Sequence, residues 1–361
     1  MRVVFICGSL EEGLDGVGDY VRHLAFQLVL LGHKVELVAL NDRHIGDQII
    51  QNLDLPFTII RFGIQVSWER RMHFVIKKMH KISPDWISLQ YVSFGFHNKG
   101  MPFFLPRRLS RLSKAGNWHV MFHELWNGVN QNAKLSHRLL GLFEKRIVFG
   151  LLRKLKPRLC TTSNQLYHQW LNDAKIANET LPLFSNIRSQ ENRQTSQIVT
   201  ENTVAIFGQL ESEELGRELI SSAIKMAEGR PLKWRVLGIA GLKWGRLLQE
   251  KGISFYRSGN LKEEELSLAL RSCRFGLAST NIYRIGKSGS ALAMLENGLP
   301  LLVGRSGWVP RHNTSHLELP DGCLECWANP SWDNLPKNNQ FKKPPSLCEI
   351  AQRFVSLLDA A

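Results

Sequence analysis

Three short stretches combine residue types that act on anions or on hydroxyl groups. The first is Gly13-Leu-Asp-Gly16-Val-Gly18-Asp19-Tyr20, which follows an apolar run and precedes a segment of helical pattern. Glycines at such a point let backbone N–H groups approach a ligand closely, and the start of a helix favours an anion. The spacing is not Gly-x-Gly-x-x-Gly, because Val21 stands where the last glycine belongs. A dinucleotide fingerprint is therefore not met, and a tight strand-to-helix turn would use the same glycines. The second stretch is Arg284-Ile-Gly286-Lys287-Ser288-Gly289-Ser290, leading into Ala-Leu-Ala-Met-Leu-Glu296-Asn-Gly298-Leu-Pro300. A flexible glycine-rich loop is expected to open a helix here. Free N–H groups, the helix dipole and the Lys287 charge would then make a phosphate pocket. An ordinary capped helix with a surface lysine would give the same pattern, and the Walker spacing is absent. The third is His119-Val-Met-Phe-His123-Glu124-Leu-Trp126, at the carboxyl end of an apolar run. A histidine there can bond a substrate hydroxyl or carry a proton, or it can be a buried structural residue.

Other chemistries find less support. No Gly-x-Ser-x-Gly elbow and no Asp-x-Asp occurs in the chain, so metal-dependent binding of a sugar nucleotide is not expected. The one Cys-x-x-Cys, Cys323 to Cys326, has no partner pair and no histidine at zinc-finger spacing. The six cysteines are scattered through a long chain and read as reduced thiols of a cytoplasmic protein. No resident cofactor and no metal are expected.

Positioning these stretches requires a large α/β frame. The length of 361 residues suggests two domains, and 43% hydrophobic with 22% charged residues argues against wholesale disorder. No run approaches about 18 consecutive apolar residues, so no membrane-spanning helix is expected. Met1–Cys7 is too short for a secretion signal and reads as a buried first strand. Short apolar runs alternate with amphipathic segments, as in parallel βαβ units. Strands are expected at 2–7, 34–40, 57–61, 85–90, 118–122 and 158–162, with a helix over Val17–Leu31 that stops at Gly32. The alternation restarts at Val204–Phe207, Trp234–Leu237, Ile253–Tyr256, Phe275–Ala278 and Leu301–Val303, with helices near 214–228, 262–272, 288–297 and 346–359. Residues 329–345 read as a surface loop. The expected organisation is a Rossmann-like domain over 1–185, a polar linker over 186–202 and a second Rossmann-like domain over 203–345. A final helix, 346–361, would be free to return to the first domain. Ligands of such doubly wound sheets sit at the carboxyl ends of the strands.

Taken in order, these elements resemble glycosyltransferase family 4, the bacterial "group 1" transferases. The resemblance runs through Gly16-Val-Gly-Asp-Tyr-Val-Arg-His-Leu-Ala25, Leu31–Leu37, Leu89–Gly100 with Phe122–Trp126, Thr161-Thr-Ser-Asn, Val204–Leu210, and Lys287 through Pro300. It implies an α/β fold of two Rossmann-like domains facing across a cleft (GT-B), and a retaining transfer from a nucleotide-diphosphate sugar. It implies that Gly16 and Gly18 lie under the donor phosphates, that Asp19 and Tyr20 border the acceptor, and that His123 contacts the transferred sugar. Gly286, Lys287, Ser288, Gly289 and Ser290 would hold the donor. The chain also departs from the family. The usual Arg and Lys after the second domain's first strand fall on Gln209 and about Leu215, and the glutamate pair eight apart falls on Ile285 and Ala293. Arg217, Arg284 or Lys287 would substitute for the missing cations, and Glu296, one helical step along, would reach a ribose. The implied mechanism is front-face displacement, in which the donor phosphate oxygen takes the acceptor proton.

The net charge of +14 points to anionic partners, and residues 61–160 alone hold 19 Lys or Arg against 4 Asp or Glu. No zinc finger or RNP pattern accompanies it, so nucleic acid is not an expected partner. A lipid-linked or polysaccharide acceptor, and an anionic membrane on the inner face of the cell, fit better. Two segments carry the membrane expectation: Met72, Val75, Ile76 and Met79 with Arg70, Arg71, Lys77, Lys78 and Lys81, and Ile147, Leu151, Leu152 and Leu155 among six basic residues. Both apolar faces could equally pack on a sheet. The alternative function is a catalytically impaired transferase that binds sugar nucleotides on the same fold. A sugar-nucleotide epimerase would need acidic residues that the cleft-lining stretches lack.

Overall fold

The computed structural model describes residues 1–52, 55–187, 202–239, 241–311 and 317–361. Two compact units make up this chain. Unit 1 comprises Met1–Val129, Ala133–Pro182 and Leu347–Ala361; unit 2 comprises Asn130–Asn132 and Leu183–Ser346. Most of the expected linker, 188–201, lies outside the described residues.

Unit 1 begins with β1 (Arg2–Cys7), α1 (Gly16–Leu30), β2 (Lys34–Asp42), β3 (Ile49–Asn52), β4 (Thr58–Gly63), α2 (Trp68–Ile82) and β5 (Trp86–Tyr91). The short α3 (Ser93–Phe96) and α4 (Leu105–Leu109) precede β6 (Asn117–Phe122), α5 (Leu135–Leu155), β7 (Leu159–Thr162), α6 (Gln165–Asp173) and β8 (Glu179–Thr180). The strand order is β3-β4-β2-β1-β5-β6-β7-β8. All neighbours are parallel except β3 against β4. Unit 2 contains β9 (Thr203–Phe207), α7 (Glu213–Met226), β10 (Lys233–Leu237), α8 (Leu242–Glu250), β11 (Phe255–Arg257), α9 (Glu263–Arg271), β12 (Phe275–Leu277), α10 (Gly289–Glu296), β13 (Leu301–Val303) and β14 (Cys323–Glu325). Its sheet is wholly parallel, in the order β11-β10-β9-β12-β13-β14. The last helix, α11 (Leu347–Ala360), belongs to unit 1. The α/β class with two Rossmann-like units is the one the sequence implied.

Local chemistry explains the elements. In β1 every residue after Arg2 is buried, as a parallel strand covered on both faces requires. Asp15 caps α1 by accepting from Gly18 N at 2.8 Å, and Gly32 ends it at φ +85°. In α11 the buried Ile350, Ala351, Phe354 and Leu358 form one face. Phe354 stacks on Phe5 at 5.7 Å and meets the His119 ring edge-on at 5.3 Å.

Several expectations change. The edge hairpin of β3 is too short and polar to read from sequence, and α8 stands where no helix was expected. The 329–345 stretch is more than a surface loop: Leu335 is in the unit 2 core, Trp332 packs on it, and Arg274 donates to the Leu335 and Pro336 carbonyls. Both apolar faces read as membrane-facing are packed inside unit 1. Met72, Val75 and Met79 are buried, as are Ile147, Leu151 and Leu155. Arg71 is buried too, donating to the carbonyls of Leu40, Gly63, Ile64 and Val66, and Lys78 pairs with Glu36 at 2.9 Å. A sheet needs covering on both faces, and that packing consumed the amphipathic pattern.

Candidate functional site

Each sheet has a point where the strand order reverses: between β1 and β5 in unit 1, and between β9 and β12 in unit 2. Crevices form at the carboxyl ends of such strand pairs. The first stretch singled out from the sequence follows β1 and the second follows β12, while the third follows β6, the neighbour of β5.

In unit 1, the turn after β1 is held by a buried carboxylate. Asp42 accepts from Ser9 Oγ at 3.0 Å, Leu10 N at 3.1 Å, His44 N at 3.1 Å and Arg61 Nε at 2.7 Å. Burial alone would push its pKa up; the Arg61 bond and the two N–H donors outweigh it and hold the carboxyl below its ordinary range. Arg61 also reaches Glu11, tying the glycine loop to β4. Gly18 is buried, and a Cβ there would lie 2.9 Å from the Ser9 carbonyl oxygen; Gly16 faces open space. Asp19 accepts from Gly13 N at 3.0 Å. Asp15 thus already answers one N–H at the start of α1 and Asp19 one in the turn before it, and two carboxylates at this point favour contact with hydroxyls over contact with a phosphate. Tyr20 is buried, which raises its hydroxyl pKa, and its ring meets His123 edge-on at 5.1 Å.

His123 follows β6 directly, its N–H bonded to the Tyr91 carbonyl at 3.1 Å. Its Nε2 lies 2.8 Å from Gln90 Oε1. Behind Gln90 a buried polar chain runs across three strands. Gln90 Nε2 donates to Ser88 Oγ at 2.7 Å, Ser88 Oγ lies 2.8 Å from His119 Nδ1, and His119 Nε2 lies 2.8 Å from Thr161 Oγ1. Strand register puts these residues on one face, since Ser88 pairs with His119 and Met121 with Thr161. Burial, with His123 nearby, pushes the His119 pKa down to about 3. The loop beyond His123 is anchored by buried Glu144, which accepts from Asn127 N at 2.7 Å and Ser93 Oγ at 2.9 Å. Burial raises the Glu144 pKa despite those donors.

In unit 2 the turn after β9 passes through Gly208 at φ +93°, where a Cβ would come 2.5 Å from Ser290 Oγ. Ser279, just past β12, bonds Ser290 Oγ at 2.8 Å, and Ser288 Oγ lies 3.2 Å from the same atom. Ser288 caps α10 by accepting from Ala291 N at 3.3 Å. The expected flexible loop is instead a 3-10 turn over Ile282–Lys287 that includes Gly286. Arg284 Nη1 donates to Glu211 Oε1 at 3.0 Å, and its guanidinium lies 5.8 Å from the Trp308 ring centre. Glu211 also accepts from Asn281 N at 3.1 Å. Thr280 Oγ1 and Asn281 Oδ1 are buried with no hydrogen-bond partner among the described residues.

The structure therefore gathers Arg284, Gly286, Lys287, Ser288, Gly289 and Ser290 in one short segment beside Gly208 and Ser279. Gln209 is exposed on the turn after β9. Arg217 sits in a surface ion-pair cluster, 3.0 Å from Glu213 and 3.4 Å from Glu250. Glu296 ends α10, about 10 Å along the helix from its start. Sequence reasoning missed Gln90, Ser88, Glu211 and Ser279. Polar residues two apart in an otherwise apolar strand, as at Ser88 and Gln90, were the available signal. Among the described residues no three His, Cys, Asp or Glu side chains group as a metal site, and no described helix is long and apolar enough to cross a membrane.

No protein-family model and no curated protein sequence matches the chain, so its likeness to known proteins is one of fold. It superposes on the E. coli structure named for trehalose-6-phosphate, solved with UDP-2-fluoro glucose bound, with TM-score 0.56 and 11% identity over 100% of this chain and 95% of that one. AviGT4, a glycosyltransferase involved in avilamycin A biosynthesis, gives 0.53 and 13% over 99% and 97%. The UDP-GlcNAc 2-epimerase from Methanocaldococcus jannaschii gives 0.52 and 10% over the whole of both chains. The fold is that of the GT-B sugar-nucleotide enzymes.

Proposed function

We propose that the protein is a retaining glycosyltransferase that uses a nucleotide-diphosphate sugar, as its resemblance to glycosyltransferase family 4 implies. The observation that carries this reading is the cluster in unit 2. A lysine, an arginine and a helix start with two hydroxyls lie in one segment past β12, where the strand order reverses, and Ser290 of that helix start packs closely on the glycine turn at Gly208. First-turn N–H groups and Lys287 would meet the diphosphate, and Arg284 would share its charge between Glu211 and the donor. Orphaned Thr280 Oγ1 and Asn281 Oδ1 supply further polar partners. Gln209 stands where the family has its arginine, so Lys287 and Arg284 carry the positive charge. Arg217 is a reserve cation tied to glutamates, and Glu296 is the ribose candidate.

In unit 1, His123 would touch the transferred sugar, Asp19 and Tyr20 would border the acceptor, and Gly16 and Gly18 would approach the donor. The leaving diphosphate accepts the acceptor's proton, which needs no metal and no enzyme nucleophile; charge growing on it is met by the start of α10. We place the acceptor on a lipid carrier or a polysaccharide, and the protein in the cytoplasm on the inner face of the membrane.

Incubation with UDP-, GDP- and ADP-sugars, followed by NMR of the sugar, tests this reading. Slow donor hydrolysis with release of the α-anomer supports a retaining transferase, and C2 inversion of UDP-GlcNAc would assign an epimerase instead. Tight nucleotide binding with no turnover on any donor or acceptor would leave the catalytically impaired alternative.

A further inference from the structure

Helix α5 carries two apolar faces, and the fold covers one. Gly141, Ile147, Val148, Leu151 and Leu155 are buried. On the opposite side Leu135, Leu139, Leu142, Arg146 and Phe149 recur at spacings of four, three, four and three, which makes one stripe. Leu135 is 70% exposed, Leu142 58% and Leu139 49%. A helix apolar on both sides in an otherwise charged chain is a binding face.

Beside this stripe lies α4. Phe103, 54% exposed, meets Phe143 of α5 edge-on at 5.9 Å. A cavity of about 700 Å³ opens there, lined by Phe103, Phe104, Arg107, Arg108, Arg111 and Glu69. Glu69, its one carboxylate, is paired with Arg111 at 2.8 Å. The Arg108 guanidinium lies over the rings of Phe104 and Trp68, at 4.3 and 4.8 Å, and its Nη1 is buried without a hydrogen-bond partner among the described residues. Cations held beside exposed phenylalanines and leucines match a surface whose outer layer is anionic and whose inner layer is apolar.

Charge decides the occupant. From Met101 to Arg158 the chain holds twelve Lys or Arg and two carboxylates, Glu124 and Glu144, of which Glu144 is buried. A second copy laid across the stripe would set Arg138, Arg146 and Arg153 against their own kind. We propose that this face of unit 1 docks on an anionic phospholipid bilayer. Leu139, Leu142 and Phe103 enter the interfacial layer while Arg107, Arg111 and Arg146 meet lipid phosphates. This deepens the membrane reading of the acceptor and replaces the two packed faces that the sequence suggested. It does not depend on the transferase activity, because the test uses no donor.

The full chain is floated with vesicles of phosphatidylcholine alone, or of phosphatidylcholine with phosphatidylglycerol, at low and high salt. Binding is expected only with phosphatidylglycerol, weakened by salt. The pair Leu139→Ser with Leu142→Ser, and the pair Arg107→Glu with Arg111→Glu, should each weaken partitioning roughly tenfold or more without lowering the melting temperature. Ile224→Ser, at an exposed position of unit 2, should bind as the parent does. Absence of binding to phosphatidylglycerol vesicles overturns the proposal. So does undiminished binding by the leucine variant, which would mean charge alone on another surface. A dimeric parent that becomes monomeric in that variant, with no vesicle binding by either, would assign the stripe to a second copy.

Discussion

Gln90 Oε1 lies 2.8 Å from His123 Nε2, and the groups behind Gln90 fix which of the two atoms carries the proton. A thioether sulfur only accepts, so the Thr161 hydroxyl donates to Met121 Sδ at 2.9 Å. Thr161 oxygen then accepts from His119 Nε2, which leaves Nδ1 of the neutral ring to accept the Ser88 proton. Ser88 oxygen takes the Gln90 amide N–H, and this turns the Gln90 carbonyl toward His123. His123 therefore donates from Nε2, and Nδ1 is the ring's basic nitrogen. Under the proposed function, neutral His123 would meet a sugar hydroxyl as an acceptor at Nδ1 and not as a donor.

Replacing Gln90 with Leu should lower kcat roughly tenfold or more while leaving donor KM within about twofold, because orientation is lost and binding is not. His123→Ala should lower kcat by about a hundredfold with only a small drop in melting temperature. Nitrogen-15 shifts of the histidine rings report the tautomer directly. A His123 protonated on Nδ1 in the parent would refute the chain of donors described above.

His119 makes stability depend on acid. Its folded pKa of about 3 lies below the ordinary value of 6.5, so between those values the unfolded chain binds a proton that the native protein refuses. Stability from this residue is present above the unfolded value and falls as pH drops from 6.5 toward 3, by about 1.4 kcal/mol per pH unit. His33, also lowered by burial, acts in the same direction, whereas Asp42 loses its contribution only below the ordinary carboxylate range. Urea unfolding at pH 6.5 and 4.5 checks this. The variant His119→Gln should be less stable than the parent at pH 6.5, yet lose clearly less between the two. Equal losses would remove His119 as the cause.

Lys287 ends the 3-10 turn before α10, in the segment proposed above to hold the donor. Lys287→Ala should weaken nucleoside diphosphate binding by about 1.5–3 kcal/mol, or roughly 10- to 100-fold in Kd. Titration calorimetry with UDP, GDP and ADP reads this and identifies the base at the same time. Unchanged affinity for the nucleotide that binds best would move the phosphate site away from α10.

Much of this was readable from sequence because parallel strands buried on both faces are continuous apolar runs. That is why β1, β5, β6 and β9 fell within a residue or two of expectation. The glycine stretches announced both turns. What stayed hidden is tertiary. Ser88, Gln90, His119 and Thr161 meet only through the register of three strands, and no local pattern states that register. Nor could amphipathicity tell which apolar face of α5 would be covered, since both stripes have helical spacing.

Gly208 offers the sharpest test of the proposed donor site, because its substitution acts through geometry alone. The residue sits at φ +93°, a region that side chains enter at a cost on the order of 1–3 kcal/mol. Its Cβ would also come 2.5 Å from Ser290 Oγ, closer than real Cβ atoms approach, and 3.0 Å from Ser279 Oγ, a tight contact. Ser290 must then move, which breaks its 2.8 Å bond to Ser279 and shifts the first turn of α10. Gly208→Ala is therefore expected to lower stability by about 1–3 kcal/mol and, in the molecules that remain folded, to weaken nucleoside diphosphate binding at least as much as Lys287→Ala does. Adding Ser290→Gly should recover part of both losses by vacating the space. If Gly208→Ala destabilises the fold but binds nucleotide as the parent does, the turn is a structural device and the donor lies elsewhere in unit 2.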